Sequence, residues 1–338
     1  MLAWLRRRWL LLLLTAAFIL VVIFRFGEIE RLVATLLGGE WQWVLATILL
    51  QVVYYLLLGL LYKLAFAIVQ VQSQLPQLIP VLFASIFVNN LAPTGGISGA
   101  ALFIDDAARH GQSPARAAEG ILLVWVAQNL ALLPVLAFGL AYLAVEGVIP
   151  AYASVATAIF LLLVAALTGG LVIARRQAAR LRSILEWLQQ RGNRLARRLR
   201  RRDLFPPDWA ETNARELSEA AEAVAAHPHR VGYALIVAFA HTLVNLASIY
   251  TAFLAFMYPA PIGAIAAGLS LAIVYAVLSV LPLDVGVVQG VMAVVYTSVG
   301  VPTPVALAVV IVFGGLNAWL PMAIGFILLR EVKTFGGR

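Results

Sequence analysis

Six stretches of this chain run for about twenty residues each almost without charge, the length a helix needs to cross the hydrocarbon of a bilayer. They are Trp9–Phe26, Trp41–Lys63, Arg116–Tyr142, Tyr152–Ala174, Val231–Met257 and Pro304–Leu329. Of the 338 residues only 12% are charged and 63% are hydrophobic, against about 25% charged and under half apolar in a water-soluble domain. The chain is therefore expected to be an all-α, polytopic membrane protein. A soluble enzyme, a disordered protein and a small secreted scaffold are excluded. With no cysteine there is no disulfide, no thiolate zinc site and no cysteine nucleophile.

Arg6-Arg7-Arg8 precede the first stretch like the n-region of a signal peptide. No small-residue cleavage site follows, since the chain continues Phe24-Arg25-Phe26-Gly27-Glu28, and the segment reads as an uncleaved anchor. Two more apolar stretches are interrupted. Leu75–Ala92 breaks at Pro93-Thr94-Gly95-Gly96-Ile97-Ser98-Gly99 before an amphipathic piece that reaches about His110. Pro261–Leu281 breaks at Pro282-Leu283-Asp284-Val285-Gly286 before Val287–Gly300. The downstream arms are too short to span comfortably at ~1.5 Å per residue. Both read as re-entrant hairpins, over about 75–110 and 261–300. Irregular backbone at that depth survives only inside protein or against a polar cavity.

Arginine and lysine set the orientation. Arg6–Arg8, Lys63, Arg109, Arg116, the thirteen arginines from Arg175 to Arg230, and Arg330, Lys333 and Arg338 are expected on the cytoplasmic side with both termini. Arg25 and Arg31 are expected outside, diluted by Glu28, Glu30 and Glu40. Residues 1–146 and 147–338 then repeat one order of elements in opposite directions: helix, helix, hairpin, helix. The second half is interrupted by the arginine-rich loop 175–230. At a spacing of 189, Pro93 falls on Pro282, Gly111 on Gly300 and Ala117 on Ala306, and Pro134 with Gly139 is answered by Pro321 with Gly325. Two inverted-topology repeats with broken helices are the architecture of alternating-access transporters.

The break motif Pro93–Gly99 and the run from Leu281 through Gly300-Val301-Pro302 to Gly325 resemble the transmembrane region of the lysylphosphatidylglycerol synthase family. The resemblance implies a flippase- or scramblase-like fold in a bacterial cytoplasmic membrane. Some members carry a fused soluble aminoacyl-transferase domain, which is not expected here because the sequence stops soon after Arg330. Where the family motif reads Pro-Gly-Gly-x-Gly-x-x-Glu, this chain has Leu283, Asp284 and Gln289 in place of the two glycines and the glutamate. A family Glu-Arg pair corresponds to Gln128-Asn129, and a family arginine to Gly314. The loss of these charges implies a less charged lipid than phosphatidylglycerol, in line with hopanoid-associated or polyprenyl-linked relatives.

The candidate substrate-binding residues are polar groups inside apolar sequence. Asn89, Asn90, Thr94, Gly95, Gly96 and Ser98 offer amides, hydroxyls and open backbone at the first break, where glycine also serves a sharp turn and asparagine a cap. Asp284 stands where a carboxylate costs roughly 2.5–3.5 kcal/mol. Substrate binding, proton coupling and a helix N-cap are all open to it. Gln289 follows one turn later. His241 and Asn245 lie four apart on one helical face with Ser248 nearby, while Gln128, Asn129 and Asn317 sit mid-span. They either line a polar path or bond helix to helix. No metal constellation is present, since His227 and His229 lie in the polar loop. Asp105, Asp106 and Arg109 form the polar face of the amphipathic arm. They either gate its mouth or are simply solvated.

Within the loop, Leu181, Ile184, Leu185, Leu188, Leu195 and Leu199 recur at helical spacing among arginines, the pattern of a helix lying on an anionic leaflet. Phe205-Pro206-Pro207-Asp208 ends it and starts a second helix through Glu211–Glu222. Without a recognised module the arginines are not read as nucleic-acid binding. The sequence thus leads to lipid translocation through a cleft between the hairpins, with membrane lipid as substrate and no cofactor. Two other readings stay open: a membrane-embedded lipid transferase with Asp284 as base, and a scaffold recruiting a partner through the loop. Self-association is also left open.

Overall fold

In a computed structural model, residues 14–91, 97–148, 151–198, 206–278 and 285–329 are described. Among them every regular element is an α-helix: α1 (Leu14–Phe24), α2 (Phe26–Leu37), α3 (Trp41–Ile68), α4 (Leu75–Leu91), α5 (Ile97–Arg109), α6 (Pro114–Val145), α7 (Ala151–Arg176), α8 (Ala178–Arg198), α9 (Trp209–Ala226), α10 (Pro228–Ala255), α11 (Ile262–Leu278), α12 (Val285–Ser298) and α13 (Thr303–Leu328). Five of the six expected spans are present as helices long and apolar enough to cross a membrane: α3, α6, most of α7, α10 and α13. The first is described only from Leu14. Large apolar side chains line the outer faces of α3 (Leu45, Leu49, Val52, Leu56) and α7 (Val155, Ile159, Leu162) and stay exposed. That is how a helix facing lipid differs from one facing water.

The centre of the fold is the antiparallel pair α3 and α10. Thr47 meets Thr251, Gln51 meets Ser248 and Tyr54 meets His241, so residue numbers rise on one helix as they fall on the other. The other contacts keep their form when each helix is exchanged for its counterpart in the other half. As α4 packs on α13, α11 packs on α6; as α5 lies between α4 and α6, α12 lies between α11 and α13; as α2 packs on α13, α9 packs on α6. On the outer flank Phe18 of α1 sits on Phe87 of α4 and Phe326 of α13, while α7 sits on α11 and α6.

Helix ends follow the same correspondence. α3 stops at a left-handed residue, Gln70 (φ 60°), and α10 at Met257 (φ 56°). Each is followed by the six-residue closing bond of a Schellman motif, Val71 N–H to Phe66 O at 2.9 Å and Tyr258 N–H to Phe253 O at 3.2 Å. α5 and α12 close the same way through Gly111 (φ 73°) and Gly300 (φ 85°). The left-handed conformation costs a residue with a Cβ about 1 kcal/mol. Glycine relieves it at the second pair of ends but not at the first.

The arms of the interrupted segments are short, with 17 residues in α4, 13 in α5, 17 in α11 and 14 in α12. At ~1.5 Å per residue none reaches the ~30 Å of a hydrocarbon core. Two glycines let the arms approach the long helices at backbone contact. A Cβ on Gly139 of α6 would meet Ala267 N at 2.5 Å, and one on Gly325 of α13 would run into Phe83 O of α4. Small residues of this kind hold helices together in lipid, where dispersion replaces the hydrophobic effect. Outside this bundle, α8 and α9 fold back on α7 around Ala174, Leu181 and Ala221.

Three positions test these assignments by thermal unfolding in detergent. Gly325→Leu is expected to cost about 2 kcal/mol or more, because Phe83 O is backbone and cannot move aside. Gly169→Ala in α7, where a Cβ meets nothing within 4 Å, is expected to be neutral or to stabilise by up to about 1 kcal/mol. Met257→Gly is expected to stabilise by about 0.5–1 kcal/mol, since the side chain is 79% exposed and only its strained φ is given up.

Candidate functional site

Two polar features lie inside the bundle. The first is the seam between α3 and α10. Thr47 Oγ1 and Thr251 Oγ1 share a hydrogen bond at 2.9 Å, and Gln51 Nε2 donates to Ser248 Oγ at 3.1 Å. His241 stacks on Tyr54 with ring centroids 4.1 Å apart, and Tyr55 OH reaches Asn317 O at 3.5 Å. Gln51 Oε1, His241 Nε2 and Asn245 Oδ1 are buried and find no partner among the described residues. An amide or imidazole held that way is unfavourable by about 1–3 kcal/mol, so the seam has capacity left for a polar ligand group.

The second feature is a cleft of about 230 Å³ where α2 and α12 meet the middle of α13. Arg25, Glu28 and Arg31 line it from one side, Gly286 and Gln289 from the second, and Gly314, Gly315 and Trp319 from the third. Leu32 of α2 occupies the space where a side chain on Gly315 would stand. Arg25 and Arg31, expected on the outer side, lie at and just beyond the junction of α1 with α2. Only Arg25 interrupts the chain between α1 and α2, and α2 lies along α13 at the level of its central glycines. The placement follows from α2 being amphipathic: its apolar side, with Leu32 and Leu36, is packed into the bundle, which turns Glu28 and Arg31 toward the cleft. Charges set among apolar helices are costly unless paired or wet, and they are one mark of a ligand path. Arg25 Nη1 and Glu28 Oε2 pair at 3.4 Å. The Arg31 guanidinium has no hydrogen-bonding or ionic partner among the described residues.

Gln289 enters this cleft from the first turns of α12. Its side chain lies over Gly314, where a Cβ would collide with its amide, and its Oε1 is buried without a partner. The two positions at which the chain departs from the resembled family, Gln289 and Gly314, are thus direct neighbours. Sequence separation hid that contact.

The remaining candidates are more widely spread. Asn89 caps the first interrupted segment's second arm, its Oδ1 accepting from Ser98 Oγ and from the Gly99 N–H, both at 2.7 Å. Asn90, Asn129 and Asn317 each donate Nδ2 back to the carbonyl four residues earlier, at Ile86, Trp125 and Phe313. Gln128 is half-buried beside the buried Asn129. Thr94, Gly95, Gly96 and Asp284 lie outside the described residues. In the amphipathic arm Arg109 Nε binds Asp105 Oδ2 at 2.6 Å and His110 Nδ1 approaches Asp106 Oδ2 at 3.3 Å, so this face is paired within its own helix. The structure therefore brings Gln289 to the cleft and His241 and Asn245 to the seam, with Asn317 reaching the seam only through its carbonyl. The asparagines around Asn89 are not brought to either.

Residues missed from the sequence include Thr47, Gln51 and Tyr54 on α3 and the α2 charges. Thr47, Gln51 and Tyr55 recur every four residues inside an apolar span, a signal that the eye passes over when such a stretch is read only for length. The α2 charges gave no such signal, because charges after an apolar run look like a loop.

No curated protein and no solved structure matches this chain. The lysylphosphatidylglycerol synthase TM region matches it over residues 9–325, which covers every helix of the bundle from the start of α1 to near the end of α13. The chain belongs to that family, and its function is therefore tied to membrane lipid.

Proposed function

We propose that this protein moves a lipid or lipid-linked molecule across the bacterial cytoplasmic membrane, with the headgroup passing through the α2–α12–α13 cleft and the acyl or prenyl chains remaining in lipid. The observation that carries the reading is the charged trio Arg25, Glu28 and Arg31 set against the middle of α13 beside the unpaired Gln289 carbonyl. A headgroup leaving water loses several kcal/mol per polar group unless new partners replace hydration. The cleft supplies both signs of charge, an amide and the indole of Trp319. The protein acts as a transporter rather than an enzyme in this reading, with its termini and the α8–α9 element in the cytoplasm.

The matching contacts of the two halves support an inverted repeat, and the short arms support re-entrant hairpins. Exchange of access between the halves would then present the headgroup to each side in turn. The arginines of α8 would rest on the anionic leaflet of that side.

Fluorescent-lipid translocation in proteoliposomes tests the proposal. Arg31→Gln and Gln289→Leu are each expected to slow transbilayer movement about tenfold, the loss expected for one hydrogen bond to a charged or desolvated group. Arg109→Gln, on the self-paired surface arm, is expected to leave the rate unchanged. Movement that survives both cleft substitutions would overturn the assignment. Formation of a modified lipid from a supplied donor would point to a transferase instead.

A further inference from the structure

A third cavity, of about 500 Å³, opens on the face that carries α8 and α9, away from the cleft. It is formed by the last turns of α3, the connection from Gln70 to Gln74, and the first turn of α10. Two cations face it, Lys63 and Arg230, and no carboxylate lines it. The Lys63 ammonium has no hydrogen-bonding or ionic partner among the described residues. Arg230 spends one N–H on Ala67 O, at 2.6 Å, which fixes the side chain across the end of α3 and leaves the rest of the guanidinium unused.

Two further features prepare the same cavity for an anion. Ser73 Oγ is buried against it without a partner. The N-cap of α10, His227, makes no side-chain bond to the helix, so the first-turn amides are not satisfied by a cap. The acidic groups of this face, Glu119, Glu219 and Glu222, line a separate cavity of about 330 Å³ together with Arg116. The two cavities share only Gln70 and His227. Carboxylates thus line one of these two cavities and not the other.

We propose that the Lys63–Arg230 cavity binds a phosphate group, with Lys63 and Arg230 neutralising its charge and Ser73 Oγ donating a hydrogen bond. Lys63 lies five residues before the end of α3, within about 8 Å of the helix terminus, which is the depth of lipid headgroups rather than of bulk water. Basic pockets between helices at this level take anionic headgroups. The shared chemistry is the phosphate, carried either by a lipid of that leaflet or by a soluble phosphate compound. The site stands apart from the cleft and does not depend on translocation.

The full chain, purified in a neutral maltoside detergent, is titrated with dioleoylphosphatidylglycerol, with the phosphate-free dioleoylglycerol and with inorganic phosphate, and thermal unfolding is followed. Phosphatidylglycerol is expected to raise the unfolding temperature and dioleoylglycerol to leave it unchanged. Lys63→Gln is expected to weaken the apparent affinity about tenfold, and Ser73→Asp to abolish binding by placing a carboxylate against the phosphate. The unliganded unfolding temperature reports that each variant is folded. These two substitutions avoid Arg230, whose loss would also release Ala67 O. A response to phosphatidylglycerol alone assigns the site to a lipid, and an equal response to inorganic phosphate assigns it to a soluble phosphate compound. Undiminished binding by Lys63→Gln and Ser73→Asp, or equal stabilisation by dioleoylglycerol, would overturn the proposal.

Discussion

A bilayer offers no water to satisfy a polar group, so every polar atom inside this bundle must find protein or ligand. The pairing of α3 with α10 is built on that condition. Hydroxyl meets hydroxyl at Thr47 and Thr251, and amide meets hydroxyl at Gln51 and Ser248. In lipid each such bond contributes only about 0.6 kcal/mol, so these contacts do less to stabilise the pair than to fix its register. Slipping one helix by a turn would break both of these bonds at once. With the register fixed, the two halves are held at one relative height, and the places of α4, α6, α11 and α13 around the seam follow.

The same condition explains the asymmetry between the fold's two ends of interest. The cleft beside α13 gathers charge within an otherwise apolar bundle, and nothing in packing alone would reward that arrangement. Arg25 and Glu28 soften the cost by pairing, while Gln289 is accommodated because position 314 has no side chain. On the opposite face carboxylates line one of two neighbouring cavities and not the other. Both ends hold more polar capacity than the fold itself uses.

Much of the architecture could be read from the sequence. Five long apolar runs became helices of nearly the expected limits because length and hydrophobicity decide spans. The glycines at 111 and 300 each end a helix in the left-handed conformation, and Gly139 and Gly325 each sit at a close helix contact. That α2 packs along α13 could not be read locally, because the contact joins residues far apart in the chain. Asn89 read as ligand-binding or capping with equal right, and its bonds to Ser98 and Gly99 show the cap. Contacts such as Gln289 on Gly314 and Gln51 on Ser248 join residues far apart in the chain, and local pattern carries no trace of them.

The close approaches at Gly139 and Gly325 also bear on motion. Where backbone touches backbone there is no side chain to change rotamer, so α4 cannot slide on α13 nor α11 on α6 without separating. Those two contacts are fixed by main chain. The hydroxyls, the amide and the stacked rings between α3 and α10 meet through side chains instead, which have other rotamers to adopt. The exchange of access proposed above therefore finds its softest contacts in that seam.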